Sequence, residues 1–415
     1  MVSIKGLGGC AEVGRMAIQV EDSNERFLLD YGMNAQDLTI PQTNDFPLTG
    51  VVLSHAHLDH CGMLPDLYRR GYQGAVYATP VTHELAMLLL ADSLKVQKKR
   101  GTRPFYHEEH VTQYEKMSKP VSTHTPLRTP HSTLQFFNDG HAPGGVSTLL
   151  EMNGKKILYT GDVKFSDTAL LRGAYTDFKN LDALIIESTY TTKNHPDRKE
   201  VASRLKDHVR DIVHRGGTVL IPSFAVGRSQ EMLLLLSDTG VPVVMDGMGV
   251  AATRIILRHP TSFEHPKQLA KAFSEAHKIT KSSQRKRILT TPGAVICTAG
   301  MLQGGPIDYY LSHLHSNPLC SLVITGFQAP GTPGRALLDT GRYPVNGTDV
   351  KLKFSTLALD FSAHCGRDEI LHFVDKVKPA HTILVHGDRT ADFAKELQQR
   401  GHLTHAPKNG DVITV

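Results

Sequence analysis

The sequence contains no tryptophan, only five cysteines and no long hydrophobic run. The cysteines are scattered without a CxxC pair, which argues against a disulfide framework or a cysteine-rich zinc module. No apolar run approaches bilayer-spanning length, and the N-terminus MVSIKGLGG lacks a basic segment leading into an apolar one. We therefore expect a cytoplasmic protein that does not bind membranes.

What the sequence has in excess is histidine, with 23 residues among 415. Histidine ligates metals and transfers protons near neutral pH, so this excess indicates metal or acid–base chemistry. The net charge of +5 is mildly basic and is compatible with a polyanionic partner. The length allows two domains, or one domain interrupted by another.

Short apolar runs alternate with helix-like stretches along most of the chain, which predicts layered α/β architecture. Many of these runs end in a polar or glycine-containing cluster. They are ILYTGD (157–162), LIIEST (184–189), VLIPSF (219–224), VVMDGM (243–248), VICTAG (295–300), LVITGF (322–327) and ILVHGD (383–388). Each could be a simple polar turn, but ligands of open α/β sheets collect at strand ends, so together the seven predict a shared cleft.

The segment LSHAHLDH (53–60) is the strongest chemical signal. His55 and His57 follow an apolar strand, and Asp59 and His60 begin a predicted helix, so the two pairs can serve two different metal ions. Imidazole and carboxylate groups without thiolate suit Zn²⁺, with Mn²⁺ or Fe as alternatives.

Two metals need more ligands, and these are expected at other strand ends. His141 opens a glycine-rich turn, Asp162 ends ILYTGD with a carboxylate able to bridge two ions, and His386 ends ILVHGD. Asp30, at the end of FLLD, fits a carboxylate that orients a ligand.

The order of these motifs resembles the metallo-β-lactamase fold, an αββα sandwich with a dinuclear centre. The resemblance implies two Zn²⁺ per chain, with Mn²⁺ as the substitute. By the resemblance His55, His57 and His141 would hold one metal, Asp59, His60 and His386 the other, and Asp162 would be shared.

The long interval between Asp162 and His386 has its own α/β pattern and predicts an inserted domain. Its segments resemble the β-CASP family of nucleases, with Glu187, His364 and His386 at the three extra family motifs. IPSFAVGRSQE (221–231), TAGMLQGGP (298–306) and TGFQAPGTPGR (325–335) resemble further family segments. We predict a metallo-β-lactamase domain over 1–190 and 352–415, and a β-CASP domain over 191–351.

HAHLDHCG resembles the cleavage-and-polyadenylation branch of that family more than RNase J, and we expect no KH module before it. The branch implies a zinc-dependent ribonuclease of RNA 3′-end processing or decay that acts on single-stranded RNA. We expect endonuclease activity, with 5′–3′ exonuclease activity as an addition, and a homodimer. A small-molecule hydrolase of the same fold and a non-catalytic scaffold subunit are the alternatives.

The resemblance also assigns catalytic roles to Asp59, Glu187 and His364. His364 is the candidate general acid, and the carboxylate of Glu187 would orient it and favour its charged form. Ser362 suits a phosphate at the start of the following helix. Arg228 is expected either to contact RNA or to pair with a buried carboxylate.

Overall fold

The computed structural model describes residues 1–43, 46–99, 101–345 and 347–415. The chain forms two compact units, and each is described by itself. Unit 1 comprises residues 1–167, 171–194 and 363–415, and unit 2 comprises residues 168–170 and 195–362. Unit 2 overlaps the predicted insertion, 191–351, but extends to residue 362. The reason is a strand at Ser355–Ala358 that pairs with the sheet of unit 2.

The strands of the first part of unit 1 are β1 (Ser3–Gly8), β2 (Ala17–Glu21), β3 (Arg26–Leu29), β4 (Gly50–Val52), β5 (Val76–Ala78), β6 (Ser118–Pro120), β7 (Leu127–Arg128), β8 (Ser132–Asn138), β9 (Val146–Met152), β10 (Lys155–Tyr159) and β11 (Ala183–Glu187). Those of unit 2 are β12 (Thr218–Pro222), β13 (Val243–Asp246), β14 (His277–Lys278), β15 (Gly293–Cys297), β16 (Ser321–Ile324), β17 (Arg342–Val345), β18 (Thr348–Lys351) and β19 (Ser355–Ala358). Unit 1 ends with β20 (His381–Val385), β21 (Thr404–His405) and β22 (Val412–Thr414).

The helices of unit 1 are α1 (Leu58–Cys61), α2 (Leu64–Arg69), α3 (Pro80–Lys99), α4 (Glu108–Met117), α12 (Arg367–Val377) and α13 (Thr390–Gln399). Those of unit 2 are α5 (Arg198–His214), α6 (Arg228–Leu236), α7 (Met248–Leu257), α8 (Pro266–Glu275), α9 (Arg285–Ile288), α10 (Pro306–Leu314) and α11 (Pro333–Thr340), with a 3₁₀ turn at Ser282–Gln284. Among the described residues, no helix has the length and apolar character needed to cross a bilayer.

Unit 1 is built around two sheets, with strand orders β22-β1-β2-β3-β4-β5-β6 and β21-β20-β11-β10-β9-β8-β7. Buried side chains of both sheets, such as Phe27 and Ile185, form one shared core. The second sheet packs its other face on α12 and α13, through residues such as Phe373 and Phe393. This arrangement confirms the predicted αββα sandwich.

Three neighbouring strands of the second sheet, β10, β11 and β20, run parallel. Their apolar runs are almost continuous because strands covered on both faces bury every side chain. Their carboxyl ends meet at one edge, where Glu187 is the last residue of β11 and Asp162 and His386 follow β10 and β20. Three of the seven predicted strand-end clusters therefore lie together in unit 1.

Unit 2 contains a parallel sheet of order β14-β13-β15-β12-β16-β19 and a separate hairpin, β17-β18. Apolar residues of β15, β16 and α10 form much of its core. The other four strand-end clusters follow β12, β13, β15 and β16, so they lie along one edge of this second sheet. The predicted set of seven is thus divided between two sheets.

Candidate metal centre

The LSHAHLDH segment connects β4 to α1 and includes the first three residues of that helix. His57 is the residue before the helix and has an extended backbone, while Asp59 and His60 lie within the first turn. The His55 ring packs against the His57 ring at 4.8 Å and against the His60 ring at 4.0 Å between centroids. The segment thus concentrates three imidazoles and one carboxylate, as the sequence predicted.

The first group of potential ligands contains His55, His57 and His141. One donor atom from each residue lies within 4.8 Å of the others. His141 is fixed by its backbone N–H, which donates to Asp139 Oδ1 at 2.8 Å, and by its Nδ1, 3.0 Å from the carbonyl oxygen of Ala363. Since Nδ1 is held by a carbonyl, Nε2 is the nitrogen that faces the group.

The second group contains Asp59, His60, Asp162 and His386, again with donor atoms within 4.8 Å. His60 Nε2 lies 3.3 Å from Asp162 Oδ2, and His386 Nε2 lies 3.4 Å from Asp59 Oδ2. Asp162 Oδ2 is also 3.7 Å from the Nε2 atoms of both His55 and His141. Asp162 therefore stands between the two groups, where a bridging carboxylate would stand.

Asp30 fixes the imidazole ring of His60 through a hydrogen bond. Its Oδ2 lies 2.7 Å from His60 Nδ1 and accepts hydrogen bonds from Ser54 Oγ at 2.7 Å and the Tyr159 hydroxyl at 2.6 Å. Its Oδ1 accepts from the Ser54 backbone N–H at 2.7 Å. This carboxylate places the proton of His60 on Nδ1 and leaves Nε2 for a metal.

The chemistry of these residues fits a metal. The Nε2 atoms of His55, His60 and His386 and the Oδ1 atom of Asp162 are buried without a well-aligned hydrogen-bond partner among the described residues. Buried polar atoms are normally paired, so this converging set of nitrogen and oxygen atoms fits a bound cation.

The pKa shifts of His60 and Asp162 also favour a cation at this site. Burial alone would lower the pKa of His60, but the carboxylates of Asp162 and Asp30 outweigh burial and raise that pKa well above its usual value. Burial raises the pKa of Asp162, but the neighbouring His386, His60 and His364 reverse the effect and lower it. Positive charge is thus favoured beside Asp162, whereas burial lowers the pKa of His55, His57 and His141 and favours the neutral rings that ligate metals.

Glu187 and His364 form a separate pair beside the two groups. His364 Nδ1 lies 3.0 and 2.9 Å from the two carboxylate oxygens of Glu187 and 3.9 Å from Asp162 Oδ2. Glu187 also accepts from the Val163 backbone N–H at 2.7 Å and from the Thr189 hydroxyl at 2.6 Å. Burial disfavours a charged His364, but Glu187 and Asp162 more than compensate and raise its pKa to about 9.

The geometry also allows another metal-binding combination. Asp162, Glu187, His364 and His386 each offer a donor atom within 4.8 Å of the others. Glu187 and His364, however, already satisfy each other, whereas the two groups above contain the buried atoms without aligned partners. We therefore treat Glu187 and His364 as a proton-handling pair.

The two residues expected to contact RNA or phosphate, Arg228 and Ser362, lie in unit 2 and are buried. Arg228 forms an ion pair with the buried Glu231, which corresponds to the carboxylate alternative that the sequence left open. The Ser362 carbonyl oxygen accepts from Arg198 at 2.7 Å, and the Ser362 N–H donates to Asp360 at 3.0 Å. Contact of Arg228 or Ser362 with RNA stays a prediction.

Several residues that shape the site were not found from the sequence. Asp139 binds the backbone N–H of His141. Ser54 and Tyr159 both bind Asp30. The Thr189 hydroxyl contacts both Glu187 and His386. The acid two residues before His141 was a usable signal, because Asp side chains often bind the backbone two residues on. Tyr159 gave no signal, since its partner is distant in sequence.

The fold and this combination of groups define a metallo-hydrolase, and comparison with known proteins agrees. Residues 15–201 match the metallo-beta-lactamase superfamily, residues 229–337 match the Beta-Casp domain, and residues 349–407 match the Zn-dependent metallo-hydrolase RNA specificity domain. The chain belongs to the β-CASP family of the metallo-β-lactamase superfamily. Membership of this superfamily implies divalent-metal binding.

Similar proteins are found in archaea. The chain is 36% identical to "Probable RNase MJ4" of Methanocaldococcus jannaschii, over 92% of each chain. It is 33% identical to "RNase aCSPSF2" of Saccharolobus solfataricus, over 99% of this chain and 85% of the relative. A crystal structure of a protein of unknown function from Enterococcus faecalis superposes with a TM-score of 0.66 and 14% identity, covering 100% of both chains, and shows the shared fold.

Proposed function

We propose that this protein is a ribonuclease that uses two divalent metal ions, most simply Zn²⁺, to hydrolyse phosphodiester bonds of single-stranded RNA. The observation that carries the proposal is the Glu187–His364 pair beside the two ligand groups, with His364 Nδ1 3.9 Å from Asp162 Oδ2. The relatives named as RNases support the same reaction class.

The metal ligands we propose are His55, His57 and His141 for one ion, Asp59, His60 and His386 for the other, and Asp162 for both. Divalent ions bound there would activate water and neutralise the charge that develops on the phosphate. Asp30 and Asp139 are not proposed as ligands: Asp30 fixes the imidazole of His60, and Asp139 binds the backbone N–H of His141.

The role of His364 follows from its two ring nitrogens. Nδ1 is bound to Glu187, so the imidazolium can deliver its other proton from Nε2. The Glu187 carboxylate raises the pKa of the ring, which favours the charged form that carries this proton. When water attacks phosphorus and the phosphorus–oxygen bond to the leaving group breaks, His364 gives this proton to the leaving oxygen, and Glu187 stabilises the charged ring until then. The attacking water releases a proton to solvent, from which the ring is afterwards reprotonated.

We further propose endonucleolytic cleavage with additional 5′–3′ exonuclease activity, in RNA 3′-end processing or decay. The test is incubation of metal-loaded protein with 5′-labelled and internally labelled single-stranded RNA, beside a chelator-treated sample. Internal fragments that depend on metal support the proposal, and intact RNA in both samples overturns it.

A chromogenic ester assayed in parallel addresses the small-molecule alternative. Ester turnover without RNA cleavage would identify that class of hydrolase. A non-catalytic scaffold is disfavoured because all seven proposed ligands are present, and such a protein would turn over neither substrate.

A further inference from the structure

The positive charge of the chain resides in unit 2. Residues 195–362 contain 20 Lys and Arg against 13 Asp and Glu, whereas the rest of the chain contains 26 against 28. The whole excess of basic over acidic residues therefore lies outside the unit that holds the candidate metal ligands. This distribution of charge favours contact of a polyanion such as RNA with unit 2.

Within unit 2 the charge is concentrated further. The sequence between Glu275 and Asp308 contains no acidic residue. It contains five basic residues, Lys278, Lys281, Arg285, Lys286 and Arg287. Lys281, Lys286 and Arg287 are exposed, so they are available to phosphate groups.

A pocket lies beside this basic segment. The Arg285 guanidinium is bound to Asp246, at 2.7 and 3.0 Å, and lies 5.9 Å from the centre of the Tyr309 ring. Tyr309 in turn lines a cavity of about 380 Å³, a size typical of small-ligand sites. Loop 302–304, α10, the start of α11 and strand β17 form its walls.

The lining of the pocket suits a planar polar ligand. Tyr309 supplies an aromatic ring beside the buried Tyr343, and Gln303, Asp308 and Ser312 supply amide, carboxylate and hydroxyl groups. The Tyr343 hydroxyl donates to Asp308 Oδ1 at 2.6 Å, which fixes both side chains before a ligand arrives. Aromatic faces with hydrogen-bonding groups at their rim are the usual means of holding an unstacked base.

We propose that this pocket binds one nucleobase of single-stranded RNA, with the base stacked on Tyr309 and the neighbouring phosphates held by Lys281, Lys286 and Arg287. The proposal rests on the proposed RNA function and deepens it, because it assigns unit 2 a binding site of its own. Unit 2 then contributes to RNA affinity.

The experiment uses full-length, zinc-loaded protein carrying His364→Gln in every sample, so that RNA stays intact. Binding of fluorescein-labelled single-stranded RNA is followed by anisotropy. Tyr309→Leu keeps an apolar side chain for packing but removes the ring, and we expect affinity to fall roughly 5- to 100-fold. Tyr175→Leu, which removes an exposed tyrosine of unit 1, is the matched control and leaves affinity unchanged.

Two further measurements keep the proposal testable. Lys281→Ala with Lys286→Ala should lower the slope of log affinity against log salt by about 0.7 per contact. Photocrosslinking of RNA containing 5-iodouridine should label the peptide with Tyr309 or Tyr343, whether or not the Tyr309 variant folds.

The outcomes separate this proposal from the proposed function. Equal affinity of the Tyr309 and Tyr175 variants, or crosslinks absent from both tyrosine peptides, overturns the pocket while wild-type cleavage of RNA stands. Failure of the wild-type protein to cleave RNA overturns the proposed function instead.

Discussion

Replacement of Asp30 by Asn tests how the protein prepares His60 for a metal. Asp30, Ser54 and His60 are fully buried, and Asp30 Oδ2 accepts from the Ser54 hydroxyl and the Tyr159 hydroxyl while facing His60 Nδ1. Asn is nearly isosteric and tolerates the left-handed backbone at this position (φ 58°), which would strain Ala. The variant therefore changes hydrogen bonding with little change in shape.

The size of the effect follows from the contacts. Asp30 Oδ1 accepts a backbone N–H, so the Asn oxygen must take that place and its NH₂ group must replace Oδ2. The Ser54 and Tyr159 hydroxyls can rotate and accept hydrogen bonds from this NH₂ group. His60 Nδ1 must also accept a hydrogen bond from it, so the ring proton moves to Nε2. A ring protonated at Nε2 cannot ligate there, so we expect metal affinity to fall roughly 10- to 100-fold.

Stability should fall less severely. Loss of a hydrogen bond to a charged group costs about 1.5–3 kcal/mol, and the remaining groups can still be paired. Metal affinity is measured by competition with a chromophoric chelator, and stability by thermal unfolding of the metal-free protein. Asp182→Asn, which removes a half-buried carboxylate bound to Lys155 and to the Lys156 N–H, is the control. Unchanged metal affinity in a folded Asp30→Asn protein would refute the reasoning.

Two further predictions concern stability. Burial lowers the pKa of His83 to about 4, so between pH 6.5 and 4 the unfolded chain binds a proton that the folded chain does not. The free energy of unfolding therefore falls by about 3 kcal/mol between pH 6.5 and 4 because of this group, and His83→Gln removes that fall. If the free energies of unfolding of wild type and variant depend on pH in the same way, the prediction is contradicted. Glu231 is buried and binds Arg198 and Arg228, so Glu231→Gln leaves two guanidinium groups poorly paired and should cost about 3 kcal/mol in denaturant unfolding. Asp339→Asn, at an exposed pair, should cost less than 1 kcal/mol, and equal costs would disprove the difference.

The sequence predicted the fold class because the metal motif has a local pattern. His55, His57, Asp59 and His60 lie within one short segment, and the later candidates each follow an apolar strand. Parallel strands bring their carboxyl ends together, so strand-end residues as distant as Asp162 and His386 meet without any local signal between them.

What the sequence did not reveal depends on contacts between distant segments. Tyr159 binds Asp30 across 129 positions of chain, and Ala363 binds His141 across 222. Strand β19 reads as the start of the C-terminal domain, but its pairing with β16 places it in unit 2. Such pairings are set by tertiary packing, which a single sequence does not display.

The central claim is that one set of residues holds metal and that His364 delivers the proton. The most direct test of this claim uses the His364→Gln variant. Metal content and single-turnover cleavage of internally labelled RNA are measured on one preparation. We expect wild-type metal content with cleavage slowed about 10²- to 10⁴-fold. Cleavage at the wild-type rate, or loss of metal together with activity, would contradict this account.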